Sequence, residues 1–437
     1  LSRMKGSLDY KNLLDMYLTN YEKEIASLFD DIFIEKYRIM RGTHLKKLFL
    51  MDFAYMPIEK RLERIKNILL SHVRQKKKEI LLMLNKKYDD ALEKALFGIR
   101  DDAKRKTEVT KFIDERDRRI PLIEKESKST AAIYMRRFKK PTIKSMYRNF
   151  VTNNSFFEGY ASNWSEEQLQ SFLIHHALNT WELEDIAPLY YLHSKVKGIS
   201  DQWKMRVVFI DEVQDYSIFQ LAALKEGLDT DMFTMVGDLA QGIHSYRALT
   251  SWDPVVKLFP RATYTTLQKS YRTTIEIMEM ANSILLQMDE ELPLVEPVVR
   301  HGIPPVFHEM DNLDARYIKS LLNEIRGRGH HSIALICKTT KEAARIAHIL
   351  NEEFAVQLLT DHSDIDQQKL LIVPSHLAKG LEFDVVLVTA LHEPFRSHSI
   401  DRKLLYVAMT RPMHELHLIG PHFQSFLLNG FCNSATK

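Results

Sequence analysis

The sequence predicts an α/β protein with two parallel β-sheets and one large helical insertion. Three observations carry that reading. From Met205 onward, short apolar runs alternate with helical patterns, as in successive βα units. The runs are rich in Val and Ile and do not alternate with polar residues, as expected of strands buried on both faces. Upstream of them, about 200 residues show helical spacing with few breakers.

The helical part comes first in the chain. Residues 60–140 hold 25 Lys and Arg against 13 Asp and Glu, a net of +12, although all 437 residues together carry only +3. A basic segment therefore sits on an acidic remainder. Only Gly98 and Pro121 interrupt it. Leu62, Ile65, Leu69 and Val73 fall at helical spacing, and so do Leu81, Leu84, Tyr88, Ala91, Leu92 and Ala95. The spacing predicts long helices, folded as a hairpin. Its charges form either a solvated face or a surface for nucleic acid or a large acidic assembly. The run Arg74, Lys76, Lys77, Lys78 and the cluster Arg136, Arg137, Lys139, Lys140 favour the second.

The predicted strands are 207–210, 232–236, 262–266, 333–336, 371–373, 385–388 and 416–419. The helices between them are 218–225, 274–286, 341–353 and 402–409. The first sheet should end near residue 290, where Pro293, Pro297, Pro304 and Pro305 mark a join. The expected division is 1–9 as part of a first α/β domain, 10–195 as a helical arm with its base, 196–290 as the rest of the first domain, and 291–437 as a second.

Composition removes several function classes. Two cysteines, Cys337 and Cys432, exclude a disulfide scaffold and a cysteine zinc site, and fit a reducing, cytoplasmic compartment. No apolar run approaches the roughly 18 residues that span a bilayer, so no membrane role is expected. The start is neither a signal peptide nor a Met. The expectation is a piece of a longer chain.

The first chemical signal is the run from Val207 to Asp215. An apolar strand delivers Asp211 and Glu212 at its C-terminal end, where open α/β sheets bind ligands. Asp211 could hold Mg²⁺ on nucleotide phosphates and Glu212 could polarise an attacking water. Alone, the pair could equally be an acidic turn. A second apolar run then leads into Gly237-Asp238-Leu239-Ala240-Gln241-Gly242, in which Gln241 could reach a terminal phosphate or the water. Leu267 to Thr274 opens a helix with Thr273 or Thr274 as N-cap. Arg272 would lie beside a phosphate edge, and Tyr271 offers a face to a base.

Together these segments resemble superfamily 1 helicases of the UvrD/Rep type. Asp211–Asp215 resembles the DExQD Walker B motif, Gly237–Arg247 the GDxxQxIxxFR-type motif, and Leu267–Thr274 the LxxxYRS motif. His376–Asp384 is similar to HxxKGLEFD, and Leu404–Arg411 to LLYVAxTRA, with Pro412 in place of the usual Ala. The resemblance implies two RecA-like P-loop NTPase domains, the first incomplete, and ATP or GTP with Mg²⁺ in the cleft. It assigns Arg411 as the arginine finger, Glu382 to the ribose, Gln241 to the γ-phosphate, and Arg272 to the phosphates. Planar, always charged guanidinium groups suit phosphoryl transfer, which needs charge stabilisation more than covalent chemistry.

One part of the family pattern is missing. No Gly begins a GxxxxGK[ST] run, and no Gly-Lys-Ser or Gly-Lys-Thr occurs. Without that cradle of amides and its Lys, ATP should bind poorly. Either the loop belongs to a segment outside this chain or the protein is a degenerate relative; the intact later motifs favour the first. Glu184 to Leu192, Asp211 to Ser217 and Leu404 to Leu418 resemble the HelD group of RNA polymerase-recycling ATPases. That resemblance implies the RNA polymerase core as partner, with DNA or RNA, and places the helical arm in the polymerase main channel. The alternatives are a 3′–5′ DNA helicase and a non-hydrolysing interaction module. In the helicase reading His244, Tyr246, Arg247, His376 and the basic arm contact nucleic acid.

Overall fold

Apolar side chains at i, i+3 and i+4 in the basic segment do build a helical hairpin. In the computed structural model, which describes residues 1–177, 181–243, 249–288, 292–298, 300–360, 369–421 and 423, the chain divides into two units. One comprises Leu1–Val207 with Phe219–Met232, and the other Val208–Ile218 with Phe233–Lys437.

The first unit is mainly helical. Helix α1 (Leu8–Ser27) is capped by Ser7, whose hydroxyl accepts the Tyr10 N–H. A β-hairpin follows, β1 (Ile32–Ile34) and β2 (Tyr37–Met40). The arm is α2 (Ile58–Gly98) and α3 (Asp102–Met135). At 1.5 Å per residue, 41 residues make α2 about 60 Å long. Leu62, Ile65, Leu69, Val73, Leu84, Tyr88 and Ala95 are buried as the spacing predicts, while Leu81, Ala91 and Leu92 are half-buried. From α3, Ile123, Ala131 and Tyr134 join the core. Pro121 lies inside α3. Arg119 of α3 donates through Nε and Nη2 to the Glu35 carboxylate at 2.9 and 2.5 Å, tying the arm to the β1–β2 turn. Behind the arm, α4 (Ile143–Val151), α5 (Ile186–Val196) and α6 (Ile218–Leu228) close an aromatic core around Tyr10, Phe150, Phe172 and Phe219.

Besides a two-residue pairing of Lys269–Ser270 with Glu296–Pro297, the second unit holds, among the described residues, two parallel sheets of very different size. The smaller pairs β3 (Val208–Ile210) with β4 (Phe233–Met235), and no other described strand joins it. The larger has six strands, all parallel: β5 (Val306–His308), β6 (Ile333–Cys337), β7 (Val356–Leu358), β8 (Leu370–Pro374), β9 (Phe383–Thr389) and β10 (Pro412–Ile419). Their spatial order is β5-β10-β9-β6-β8-β7. Helices α7 (Ile275–Leu285), α8 (Ala315–Gly327), α9 (Thr340–Asn351) and α10 (Ser399–Met409) lie in the same unit. Every residue of β6 and β8 is buried, as their non-alternating apolar sequence requires.

Two expectations need correction, and a third holds only in part. Residues 262–266 form no strand: among the described residues no neighbouring strand completes a ladder with them. The first sheet is not buried on both faces, since Phe209 is 76% exposed; two strands cannot cover their own faces. Thr274 occupies the N-cap of α7, yet its hydroxyl accepts no N–H and is buried without a partner.

At the β5 edge of the large sheet, four polar side chains form a chain of bonds. The Tyr317 hydroxyl lies 2.7 Å from His308 Nδ1, His308 Nε2 lies 3.0 Å from His417 Nδ1, and His417 Nε2 lies 3.3 Å from Glu415 Oε2. Two neutral imidazoles satisfy this chain in one direction, from Tyr317 towards Glu415. Arg328 grips the same carboxylate at 2.9 and 2.7 Å.

No helix among the described residues is long and apolar enough to cross a membrane.

Candidate functional site

The acidic pair ends β3, as the sequence predicts. Asp211 is exposed and its Oδ1 accepts the Glu212 N–H at 2.8 Å. Glu212 takes a left-handed conformation at φ 51°, uncommon for a residue with a Cβ, which turns the chain sharply off the strand. Behind it, Gln214 is fully buried and supports both loops. Its Nε2 donates to Glu212 Oε2, and its Oε1 accepts the Asp238 N–H at 3.1 Å. Gly237 is required there: a Cβ would stand 2.3 Å from Gln214 Oε1. Asp238 then accepts the Ala240 N–H and the Gln241 side-chain amide at 2.9 and 2.8 Å.

The larger sheet sends two cations to these loops. Lys379, from the loop after β8, is 2.7 Å from Asp215 Oδ2 and 3.3 Å from Glu212 Oε2. Arg411, just after α10, donates from Nη2 to Gln241 Oε1 at 2.7 Å and from Nε to Val407 O at 3.0 Å. It is 1% exposed. Burial and, to a lesser degree, the nearby Arg272 pull its guanidinium down to about 10. Arg272 itself pairs with Glu382 at 2.6 Å, both half-exposed.

So the geometry brings together Asp211, Glu212, Gln241 and Arg411, and it pairs Arg272 with Glu382. Tyr271 is 65% exposed beside Arg272, and His376 is exposed. His244, Tyr246 and Arg247 lie outside the described residues. On the arm, Arg74 and Lys78 are exposed, while Lys76 pairs with Glu79 and Lys77 with Glu124. Sequence reasoning passed over Lys379, Gln214 and Asp215. All three stand inside the motif segments, but only the fold shows that a lysine 167 positions after Glu212 grips it.

Two segments of the chain match UvrD-type helicase domains. Residues 51–250 match the UvrD/REP helicase N-terminal domain, and residues 369–419 match the UvrD-like helicase C-terminal domain. The first match contains Asp211, Glu212 and Gln241, and the second Lys379, Glu382 and Arg411; Tyr271 and Arg272 fall in neither. A probable DNA helicase of Mycoplasma pneumoniae is 26% identical over 250 residues, which are 50% of this chain and 44% of that protein. The chain thus spans less than half the length of that relative. Among solved structures, the C-terminal domain of a possible DNA helicase from Lactobacillus plantarum WCFS1 is similar at 27% identity, over 35% of this chain and 88% of that one, with a TM-score of 0.29. The PRRSV helicase matches at 15% identity, over 52% of this chain and 37% of that one, with a TM-score of 0.28.

UvrD-type helicase domains imply a nucleotide and Mg²⁺, and the site meets that demand in part. Among the described residues no three His, Cys, Asp or Glu side chains gather into a metal cage. Mg²⁺ on a nucleotide needs only one or two carboxylates plus phosphate oxygens. Asp211 is exposed at the strand end, and the buried Asp215 Oδ1 has no hydrogen-bond partner. Both fit a metal–phosphate group better than a settled acidic turn. The glycine-rich cradle for the phosphates is not in the sequence.

Proposed function

We propose that residues 1–437 are part of an ATP-driven, helicase-like motor that acts on RNA polymerase bound to nucleic acid. The observation that carries the motor reading is the meeting of Glu212 and Gln241 with Lys379 and Arg411. These four residues come from two sheets and share no local sequence reason to meet. In this reading Asp211 holds Mg²⁺, Glu212 takes the proton of the attacking water, and Gln241 and Arg411 bear on the γ-phosphate. Arg272 balances phosphate charge and Glu382 holds the ribose. Arg411 is well suited: buried away from water, its charge acts at low dielectric. Lys379 neutralises the Glu212–Asp215 pair and keeps Glu212 in place. The phosphate cradle comes from polypeptide outside residues 1–437.

The polymerase as partner rests on the resemblance to the HelD group and on the arm. Two helices sealed by an apolar seam form a stiff basic probe, with Phe97 86% exposed near its tip. A second reading, a 3′–5′ DNA helicase, is favoured by the probable DNA helicase relative.

Purified residues 1–437 should show negligible ATPase activity, whereas the longer protein hydrolyses Mg·ATP. In the longer protein, Glu212→Gln should still bind Mg·ATP and lose hydrolysis. Robust turnover by residues 1–437, or normal turnover by Glu212→Gln, overturns the site assignment. Removing residues 60–140 should spare ATPase activity and abolish polymerase release from a DNA scaffold. If removal instead weakens binding to free DNA and flattens its salt dependence, the DNA helicase reading takes over.

A further inference from the structure

Arg300 lies outside both helicase-matched segments, yet it joins the two stretches of chain that bear Arg272 and Arg411. Its Nη2 donates to Arg272 O at 2.8 Å and to Met413 O at 2.7 Å. Met413 stands two residues beyond Arg411, at the start of β10. One guanidinium nitrogen carries two hydrogens and can serve both carbonyls.

The main chain around Arg300 is itself fixed. Glu296 and Val298 donate to Gln268 O and Ser270 O at 2.8 and 3.2 Å. Arg300 O accepts the N–H of Ile275, the first residue of α7, at 3.0 Å. The Glu276 carboxylate accepts the Gly302 N–H at 2.8 Å and lies 2.9 Å from His301 Nδ1. A Cβ on Gly302 would run into Thr274 Cγ2, so the two strips of chain touch. Residues 296–298 and 300–302 thus run along 268–276, with Arg272 in the middle.

The contacts close into a ring. The Arg272 side chain reaches Glu382 at 2.6 Å. Next to Glu382, the Phe383 N–H donates to Arg411 O at 3.1 Å. From Arg411 the chain passes through Pro412 to Met413, and Arg300 returns to Arg272. Like charges meet in this ring: after burial, Arg272 is what most pulls the Arg411 guanidinium down. Arg300 opposes their separation through main-chain oxygens and takes up neither guanidinium. Its own Nε is buried with no hydrogen-bond partner among the described residues. A side chain placed for stability alone would satisfy that donor.

We infer that Arg300 is a positioning residue for phosphoryl transfer, setting the spacing of Arg272 and Arg411 so that both fit one phosphate group. The inference rests on the phosphate-site reading above. A misplacement of about 1 Å in such a clamp costs roughly 10²-fold in rate.

Arg300→Ala tests the brace in two ways. In residues 1–437, amide exchange should quicken at least ~10-fold at Ile275 and Phe383, whose acceptors are Arg300 O and Arg411 O, while β6 and β8 stay protected. In the ATP-hydrolysing protein, kcat and kcat/KM should fall together, roughly 10²-fold, because the alignment matters in the transition state. The double variant with Arg411→Ala should lose far less than the product of the two single losses, since Arg300 acts through Arg411. Arg300→Lys keeps a charged donor without the planar fork. It should fall between the parent and Arg300→Ala in both measurements, and it decides the matter should Arg300→Ala unfold. Unchanged exchange at Ile275 and Phe383 overturns the brace. So does a fully multiplicative loss in the double variant, and so does normal kcat in Arg300→Ala where Arg411→Ala is impaired. Quickened exchange together with normal kcat in Arg411→Ala supports the brace and removes the phosphate reading.

Discussion

Strands β3 and β6 are written in much the same residues and end up in opposite surroundings. β6 reads Ile-Ala-Leu-Ile-Cys and every residue is buried, because β8 and β9 flank it. β3 reads Val-Phe-Ile with another Val before it, and Phe209 points into solvent because, among the described strands, only β4 pairs with β3. Apolar, β-branched sequence sets the tendency to extend; the number of neighbours sets whether extension buries anything. The contrast also divides the chemistry. The crowded sheet supplies cations that are already placed, and the sparse sheet supplies the carboxylates.

The sharpest way to break the contrast is a charge in the crowded sheet. Leu335→Asp should abolish the cooperative unfolding transition of the second unit. Loss of the leucine volume alone costs about 2–5 kcal/mol, and a buried, unpaired carboxylate adds to it. Circular dichroism on a urea series would show this, and a normal transition would mean that β6 is less enclosed than described. Next comes the link between the sheets. Under the motor reading, Arg411→Ala in the ATP-hydrolysing protein should lower kcat on the order of 10³-fold with the fold intact. Steady-state ATPase kinetics would read it.

A smaller effect lies in pH. Burial, first of all, holds the His308 and His417 imidazoles below their ordinary 6.5. The unfolded chain therefore binds more protons than the folded one in the window below 6.5, and stability falls as pH falls through it. Above 6.5 this contribution is fully present. Protonating His417 also breaks the His308–His417 bond as it stands, since both facing nitrogens would then be donors, whereas protonating His308 sets a second donor against the Tyr317 hydroxyl. Tyr317 and Glu324 face His308, and Glu415 and Arg328 face His417. Thermal melts should hold steady from pH 8 to about 7 and drop below 6.5, and His417→Gln should flatten that drop. The smallest effect is expected on the sparse sheet. Phe209→Ser should change the stability of residues 1–437 by no more than about 0.5 kcal/mol, since it removes a ring from water and not from a core. A large loss in urea unfolding would show that Phe209 is covered in solution.

The same contrast explains what could be read from the residues and what could not. The central strands of the large sheet were legible because unbroken Val, Ile and Leu runs have few other uses. The arm was legible from Leu62 to Val73, whose spacing fixes one buried stripe. Asp211, Glu212, Gln241 and Arg411 stood out through motif order, and the fold brings them together. The strand at 262–266 misled because Thr263-Tyr264-Thr265-Thr266 has β propensity but no pairing strand among the described residues, and propensity alone makes no ladder. Lys379 stayed hidden because its grip on Glu212 depends on how two sheets meet, which no local pattern encodes. The Arg119–Glu35 clasp was invisible for the same reason: 84 residues separate its ends.

That clasp gives the arm an unusual tolerance to being cut. The exposed junction between α2 and α3 includes Arg100, which a protease such as trypsin can reach. A nick there severs the peptide but not the seam of Leu69, Val73, Leu84 and Tyr88, nor the bidentate bond from Arg119 to Glu35. The two pieces, one ending at Arg100 and one beginning at Asp101, should travel together through gel filtration and part only in denaturant. The arm's tip is therefore a natural point of division, where a tag or a fluorescent domain can be inserted without dismantling the lever that carries it.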